Sequence, residues 1–287
     1  MPPSAASLLR PAHTLLVECS DQAGLVHAIT GVLFRHGANV VGNQEFVDRR
    51  AARFFMRTEF DGQLDPGRVV HEIAEVLPAG AVVRLANPGP RRIIVLATRE
   101  HHCLADILIR NAYHEFNSQV LAVVSNHAHL ESLVRKFDLP FHHVPHADLE
   151  RVDHEARVHA VIEPYRPDYL VLAKYMRVLS PQFVRHFPDR MINIHHSFLP
   201  AFAGARPYHQ AFDRGVKVIG ATAHFVTEQL DEGPILVQQV IPVDHTHTAE
   251  DLQQAGRDVE QIVLARALRL VFEDRVFLCG NRTIIFD

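Results

Sequence analysis

The feature that most restricts the fold is a series of short, nearly unbroken apolar runs separated by helix-length amphipathic segments. Ile93-Ile94-Val95-Leu96-Ala97, Val120 to Val124, Tyr169 to Ala173 and Met191 to Ile194 lack the polar alternation of a half-exposed strand. Strands of this kind must be covered on both faces. A mostly parallel sheet meets that demand, because each parallel pair needs a long crossover and the crossover helices supply the cover. The end of the chain reads differently. Val218 to Val226 and Ile235 to Val243 are strand runs, and Thr248-Ala-Glu-Asp251 offers a capping box for a helix reaching about Phe272. Val276 to Leu278 and Thr283 to Phe286 flank Gly280-Asn281 as a closing hairpin.

Asn87-Pro88-Gly89-Pro90 terminates both helix and strand and marks the domain boundary. Before it the pattern reads strand (Thr14 to Cys19), helix (about Gly24 to His36), strand (Val40 to Asp48), strand (Arg53 to Phe60), helix (Pro66 to Leu77) and strand (Ala81 to Leu85). That is a ferredoxin-like βαββαβ order. The expected fold class is therefore α/β: a ferredoxin-like domain over 1–86, a linker over 87–92, and a Rossmann-like domain with a mostly parallel sheet over 93–287.

Composition narrows the function by exclusion. With 29 Lys+Arg against 33 Asp+Glu, the formal charge of −4 provides no electrostatic footprint for nucleic acid. No run approaches the roughly 18 apolar residues of a membrane span, and the N-terminus lacks the parts of a signal peptide, so a cytoplasmic protein with no membrane partner is expected. Cys19, Cys103 and Cys279 are single and far apart, which suggests buried thiols and not a disulfide or zinc framework. Small-molecule chemistry is left as the starting expectation.

Two segments can carry that chemistry. In Met191-Ile-Asn-Ile-His-His-Ser-Phe-Leu-Pro200, side-chain alternation puts Asn193 and His195 on one face near the carboxyl end of a strand, where open α/β sheets bind ligands. In Gly220-Ala-Thr-Ala-His-Phe-Val-Thr-Glu-Gln-Leu-Asp-Glu-Gly-Pro234, Asp231 sits in a turn rich in breakers just before a strand. Singly, each has a structural explanation: strand-end polar groups satisfy backbone, and Asp is a common turn former. As a set, an amide donor, an imidazole and a carboxylate can stabilise an oxyanion and move a proton in acyl transfer.

Asn193-Ile-His195, followed by Ser-Phe-Leu-Pro-Ala-Phe, by Gly220-Ala-Thr-Ala-His224 and by Leu230-Asp-Glu-Gly-Pro-Ile235, resembles the folate-dependent formyltransferase fold. His102-Cys-Leu-Ala-Asp-Ile-Leu108, Val124-Ser-Asn-His127, Pro140-Phe-His-His-Val144 and Leu172-Ala-Lys-Tyr-Met-Arg-Val-Leu-Ser180 make the resemblance closest to the formyltetrahydrofolate deformylase family. It covers nearly the whole chain, and the N-terminal unit resembles the ACT regulatory module of that family. The resemblance implies hydrolysis of 10-formyltetrahydrofolate to formate and tetrahydrofolate, supplying formate for purine synthesis and balancing one-carbon folate pools. It places catalysis on Asn193, His195 and Asp231, and substrate contacts on Met176, Arg177, Val178, Leu179, His224 and Leu230. It further implies a homo-oligomer and an amino-acid effector at an inter-subunit face, glycine or methionine being candidates, with Asp21, Gly24 and Asn39 nearby. Family members often carry Lys where this chain has Ala203, so a contact from a Lys there is missing.

Glycinamide ribonucleotide formyltransferase is the alternative transferase reading, but that family cradles its acceptor's phosphate in a glycine-rich loop after the first strand. Here the strand runs into Ala97-Thr-Arg-Glu-His-His-Cys-Leu-Ala-Asp106, with no glycine to permit close backbone approach. Without an anchored amine, water is the expected nucleophile. Methionyl-tRNA formyltransferase is disfavoured because only a helix and a hairpin follow Thr248, and the intact triad disfavours a non-enzymatic folate- or amino-acid-binding regulator. Of the 21 histidines, ten fall between His101 and His159. The pairs His101-His102, His142-His143 and His195-His196 raise a zinc hydrolase, yet adjacent strand residues face opposite ways and none lies in an HExxH frame. No metal, and no cofactor beyond the folate substrate, is expected.

Overall fold

The N-terminal unit forms because four strands and two amphipathic helices bury one shared apolar layer. Its elements are β1 (His13–Ser20), α1 (Leu25–Arg35), β2 (Asn39–Asp48), β3 (Arg53–Asp61), α2 (Pro66–Val76) and β4 (Val82–Leu85) in the computed structural model, which describes residues 13–200 and 207–287. The strand order is β2-β3-β1-β4, with antiparallel neighbours throughout. Leu15, Val17 and Cys19 point from β1 into a core with Ile29, Leu33, Val69 and Ile73. Asp65 caps α2 by accepting from the amides of Gly67 and Arg68, and Pro66 occupies its first turn. The start of α1 is built differently from that of α2. Its N-cap is Gly24 in a left-handed conformation with no side-chain cap, so Asp21 does not cap it. A Cβ at Gly24 would meet nothing within 4 Å, so backbone conformation, not close approach, calls for glycine there.

The second unit carries β5 (Arg91–Ala97), α3 (His102–Ala112), β6 (Ser118–Ser125), α4 (Glu131–Arg135), β7 (Phe141–His143), α5 (Arg151–Ile162), β8 (Tyr169–Leu172), α6 (Pro181–Arg185), β9 (Met191–His195), α7 (Pro207–Arg214), β10 (Val218–Phe225), β11 (Ile235–Pro242), α8 (Ala249–Phe272), β12 (Val276–Cys279) and β13 (Arg282–Ile285). Seven strands form one sheet in the order β11-β10-β9-β8-β5-β6-β7. From β9 to β7 the pairs are parallel, while β10 runs antiparallel to both β9 and β11. The apolar runs are buried on both faces: Ile93, Val95 and Ala97 join the core under α3 and α8, and Ile94 and Leu96 join the core on the opposite face. The capping box at Thr248 and Asp251 starts α8 as expected, and Gly280 turns the closing hairpin with φ +59°.

Contacts divide the described chain between Gly89 and Pro90, with Phe286 and Asp287 belonging to the first unit. β5 starts inside the stretch expected as linker, because Arg91 is buried and ion-paired with Asp274. Ala203 lies outside the described residues. Among the described residues no helix is long and apolar enough to cross a membrane.

Candidate active site

Two facing strand positions set the site. Asn193 on β9 lies directly opposite His224 on β10, and His195 lies opposite Thr222. A register break between Ala223 and His224 on the β11 side marks where β10 departs from regular pairing. His224 Nδ1 donates to the Phe225 carbonyl at 2.8 Å, which leaves Nε2 to serve the site, and Asn193 Nδ2 stands 3.2 Å from it. Thr222, fully buried, donates to the Ser197 carbonyl and accepts from the Leu199 amide, while Gln238 bonds both Thr222 and the Leu199 carbonyl. These bonds hold the turn that follows His195.

Asp231 reaches the same place from the loop after β10. The loop folds back because Gly233 packs on the β10 backbone: a Cβ there would lie 1.8 Å from the Phe225 carbonyl oxygen, and the Phe225 amide bonds the Pro234 carbonyl at 2.9 Å. Asp231 itself adopts φ +57°, a conformation more tolerable for Asp than for most residues. Its Oδ2 stands 3.3 Å from His195 Nδ1 and its Oδ1 3.6 Å from His224 Nε2. Burial works to raise the Asp231 carboxyl, but hydrogen bonding to His195 and then to His224 outweighs it and holds the group well below the usual carboxylate range. A carboxylate can only accept, so His195 carries its Nδ1 proton toward Asp231. His195 Nε2 is buried with no hydrogen-bond partner, a polar atom left for a ligand.

One cavity joins all these groups. Asn193, His195, His224 and Asp231 share it with the walls formed by Met176, Arg177, Val178 and Leu179 and by the loop through Leu230. Every residue expected to contact substrate therefore lines it. Met176, Val178 and Leu230 are each more than half exposed at its edge and give it an apolar rim. Thr98, just past β5, ties this wall to the sheet by accepting from the Met176 amide at 3.0 Å.

Two sequence expectations change, at His196 and at Cys279. His195 and His196 do not face opposite ways: their rings stack at 4.9 Å and both line the cavity, because β9 ends at His195 and the alternation ends with it. The residues expected near an effector at an inter-subunit face, Asp21, Gly24 and Asn39, are divided within one chain between the two ends of its sheet. Asp21 and Gly24 follow the Ser20 end of β1, opposite Arg53, whereas Asn39 pairs with Asp61, about 26 Å away at some 3.3 Å per residue along β3. Cys279 is only half-buried, unlike Cys19 and Cys103. Sequence reasoning also missed the buried polar groups beneath the cavity, His102, Lys174, Tyr208 and Glu260. Glu260 was detectable in principle, as a charge among Gly256, Val259, Val263 and Leu264 on the apolar stripe of α8. His102, Cys103 and Glu260 place donor atoms within 4.8 Å of one another, but the Lys174 ammonium already sits 3.1 Å from Glu260, and burial keeps the Cys103 thiol protonated. A second imidazole cluster, His127, His146 and His154, with ring centroids 5.2 and 6.1 Å apart, lies beyond the ends of β6 and β7.

A mostly parallel sheet with an amide, an imidazole and a carboxylate gathered at its strand ends defines a formyl transferase-type α/β protein with a ferredoxin-like N-terminal unit. The formyl transferase family matches residues 91–268 and the ACT domain family residues 13–77. The chain is 55% identical over 267 residues to the formyltetrahydrofolate deformylase of Escherichia coli, covering 93% of this chain and 95% of that one. The solved formyltetrahydrofolate deformylase of Pseudomonas syringae pv. tomato superposes with a TM-score of 0.92 at 38% identity, covering 98% of this chain and 97% of that one. Glycinamide ribonucleotide transformylase 1 of Symbiobacterium toebii is similar over 70% of this chain and 96% of its own, with a TM-score of 0.67 and 34% identity. The chain belongs to the formyltetrahydrofolate deformylase family.

Proposed function

We propose that the protein hydrolyses 10-formyltetrahydrofolate to formate and tetrahydrofolate, with Asn193, His195 and Asp231 as its catalytic residues. The observation that carries this reading is the convergence of the three side chains, from two strands and a loop, in one cavity with an apolar rim. The rim of Met176, Val178 and Leu230 offers a flat apolar seat for the pterin, and Arg177 a cation for the acidic end of the folate. His224, donating through Nδ1 to the Phe225 carbonyl, accepts from Asn193 Nδ2 through Nε2 and so holds that amide in place.

Asn193 Nδ2 donates to the formyl oxygen as it becomes an oxyanion. Both Asp231 oxygens are engaged by imidazoles and the carboxylate is strongly stabilised, which makes Asp231 a weak base by itself. The water proton therefore passes to His195 Nε2, with Asp231 fixing the tautomer and supporting the imidazolium that forms. His195 then returns that proton to the formyl-bearing nitrogen, and the carbon–nitrogen bond breaks to release formate and tetrahydrofolate. The donors perform this without a metal or any cofactor beyond the folate.

Formate release from 10-formyltetrahydrofolate tests the reading directly. Formate is expected at full rate without an added amine and unchanged on adding glycinamide ribonucleotide; a strict requirement for that acceptor would reverse the choice in favour of a formyltransferase.

We further assign an amino-acid effector to the ACT unit, at the exposed Asp21–Gly24 end of its sheet, and a homo-oligomeric assembly in the cytoplasm. Phe34, 82% exposed on α1, and Val41, 51% exposed on the edge strand β2, support an assembly that covers them. Titrating glycine and methionine against formate release by the full chain is expected to change activity at least twofold with one of them. An Asp21→Ala variant should keep the basal rate and lose the response. No response to either amino acid, or a full response in the variant, would remove the effector assignment.

A further inference from the structure

The strand order reverses between β5 and β8: from β5 the chain builds outward through β6 to β7, and then returns to build β8 and β9 on the other side. In open α/β sheets the crevice at the carboxyl ends of such a pair is a general ligand position. Here it is filled by side chains. His102 opens α3 after β5, Lys174 follows β8, Tyr208 comes from α7 and Glu260 from α8. All four are less than a tenth exposed. Glu260 Oε2 accepts from His102 Nε2 at 2.7 Å and from Lys174 Nζ at 3.1 Å, while Oε1 accepts from Tyr208 Oη at 2.7 Å.

The set is built with some backbone cost. Lys174 adopts φ +60°, unfavourable for a long side chain, in the position that aims its ammonium at Glu260. A Cβ at Gly256, one turn before Glu260, would lie 2.2 Å from Cζ and Oη of Tyr208, so α8 is cut back where the phenol ring passes. Gln261 Nε2 secures the His102 carbonyl at 3.0 Å. Burial works against an ionised Glu260, but its partners outweigh that cost, and the carboxyl is lowered to about 2. Stability alone is a weak reason to retain such a group, because apolar residues of equal volume commonly serve as well or better. Its position is more informative: Lys174 also lines the cavity that holds Asn193, His195 and Asp231.

We propose that His102, Lys174, Tyr208 and Glu260 act as a specificity plug, closing the crevice through which a primary amine would approach the formyl carbon and leaving water as the nucleophile. This rests on the hydrolytic reading above and explains why that site hydrolyses and does not transfer. With water, a carbon–oxygen bond forms as the bond from the formyl carbon to the folate nitrogen breaks; one water proton passes to that nitrogen, and the other leaves as formic acid ionises. With an amine, a carbon–nitrogen bond forms, the amine proton passes to the folate nitrogen, and the product is an N-formyl amine.

The test is the ratio of N-formyl amine to formate made from 10-formyltetrahydrofolate with excess methylamine or glycinamide. Each enzyme supplies its own internal ratio, so a smaller folded fraction does not move it. The unaltered enzyme is expected to give formate with no N-formyl product above the uncatalysed level. Tyr208→Ala and His102→Ala both keep the Lys174–Glu260 pair and open opposite sides of the plug, and each is expected to raise the ratio at least tenfold. Tyr208→Phe, which keeps the ring, should leave it unchanged. Ready amine formylation by the unaltered enzyme, an unchanged ratio in both Ala variants, an equal rise in the Phe variant, or loss of both products from both Ala variants would each overturn the plug. Absence of formate from the unaltered enzyme without amine would instead overturn the hydrolytic reading.

Discussion

Asp231→Asn is expected to lower kcat for formate release by about 10³- to 10⁴-fold, the range seen when an acid that orients a catalytic imidazole is made neutral. The substitution preserves the size and shape of the side chain, so the loop held by Gly233 against Phe225 has no reason to move. What disappears is the negative charge 3.3 Å from His195 Nδ1. An Asn in its place can offer its amide nitrogen to Nδ1, which shifts the imidazole proton to Nε2 and removes the lone pair needed to accept a proton from water. Even with its oxygen toward Nδ1, the neutral amide cannot support an imidazolium at a buried position as a carboxylate does. Folate affinity should change by no more than a few-fold, since the apolar rim is untouched. Single-turnover rates together with a folate binding titration separate the two quantities. Turnover within tenfold of the parent would show that Asp231 is not part of the proton path.

Asn193→Ala comes second in expected effect, with a loss of about 10²- to 10³-fold in kcat and little change in KM, the pattern for a donor whose bond strengthens only as the oxyanion forms. Asn193 also faces His224, so removing it leaves His224 Nε2 with Asp231 alone. Asn193→Asp distinguishes the donor from a spacer: it keeps the volume but presents oxygens to the developing charge, and it should be at least as slow as the Ala variant. A raised KM with kcat unchanged would instead place Asn193 in ground-state folate binding.

The proposed catalytic set could be picked out in the chain because each member belongs to a short local pattern. Asn193 and His195 fall two apart on a strand, so they must share a face, and Asp231 lies among breakers that force a turn. Their meeting was not legible by spacing alone, since it depends on β10 running antiparallel beside β9 and putting His224 opposite Asn193. The same local reasoning failed at His196, where the strand ends. The buried plug was the least visible part: 158 residues separate His102 from its partner Glu260.

Histidine abundance shows where that boundary falls. The sequence's 21 histidines suggested a metal, and the structure spends them variously: His195 and His224 on Asp231, His102 on Glu260, and His127, His146 and His154 on one another. By itself the sequence determined the two folding units, the mostly parallel sheet and the three side-chain types proposed for catalysis, because hydrophobic period, breakers and strand alternation act over a few residues. Only the tertiary structure decided which imidazole meets which carboxylate, and that side chains fill the crevice between β5 and β8. Such contacts depend on how distant strands and helices are ordered around the sheet, and no local period in the chain encodes that order.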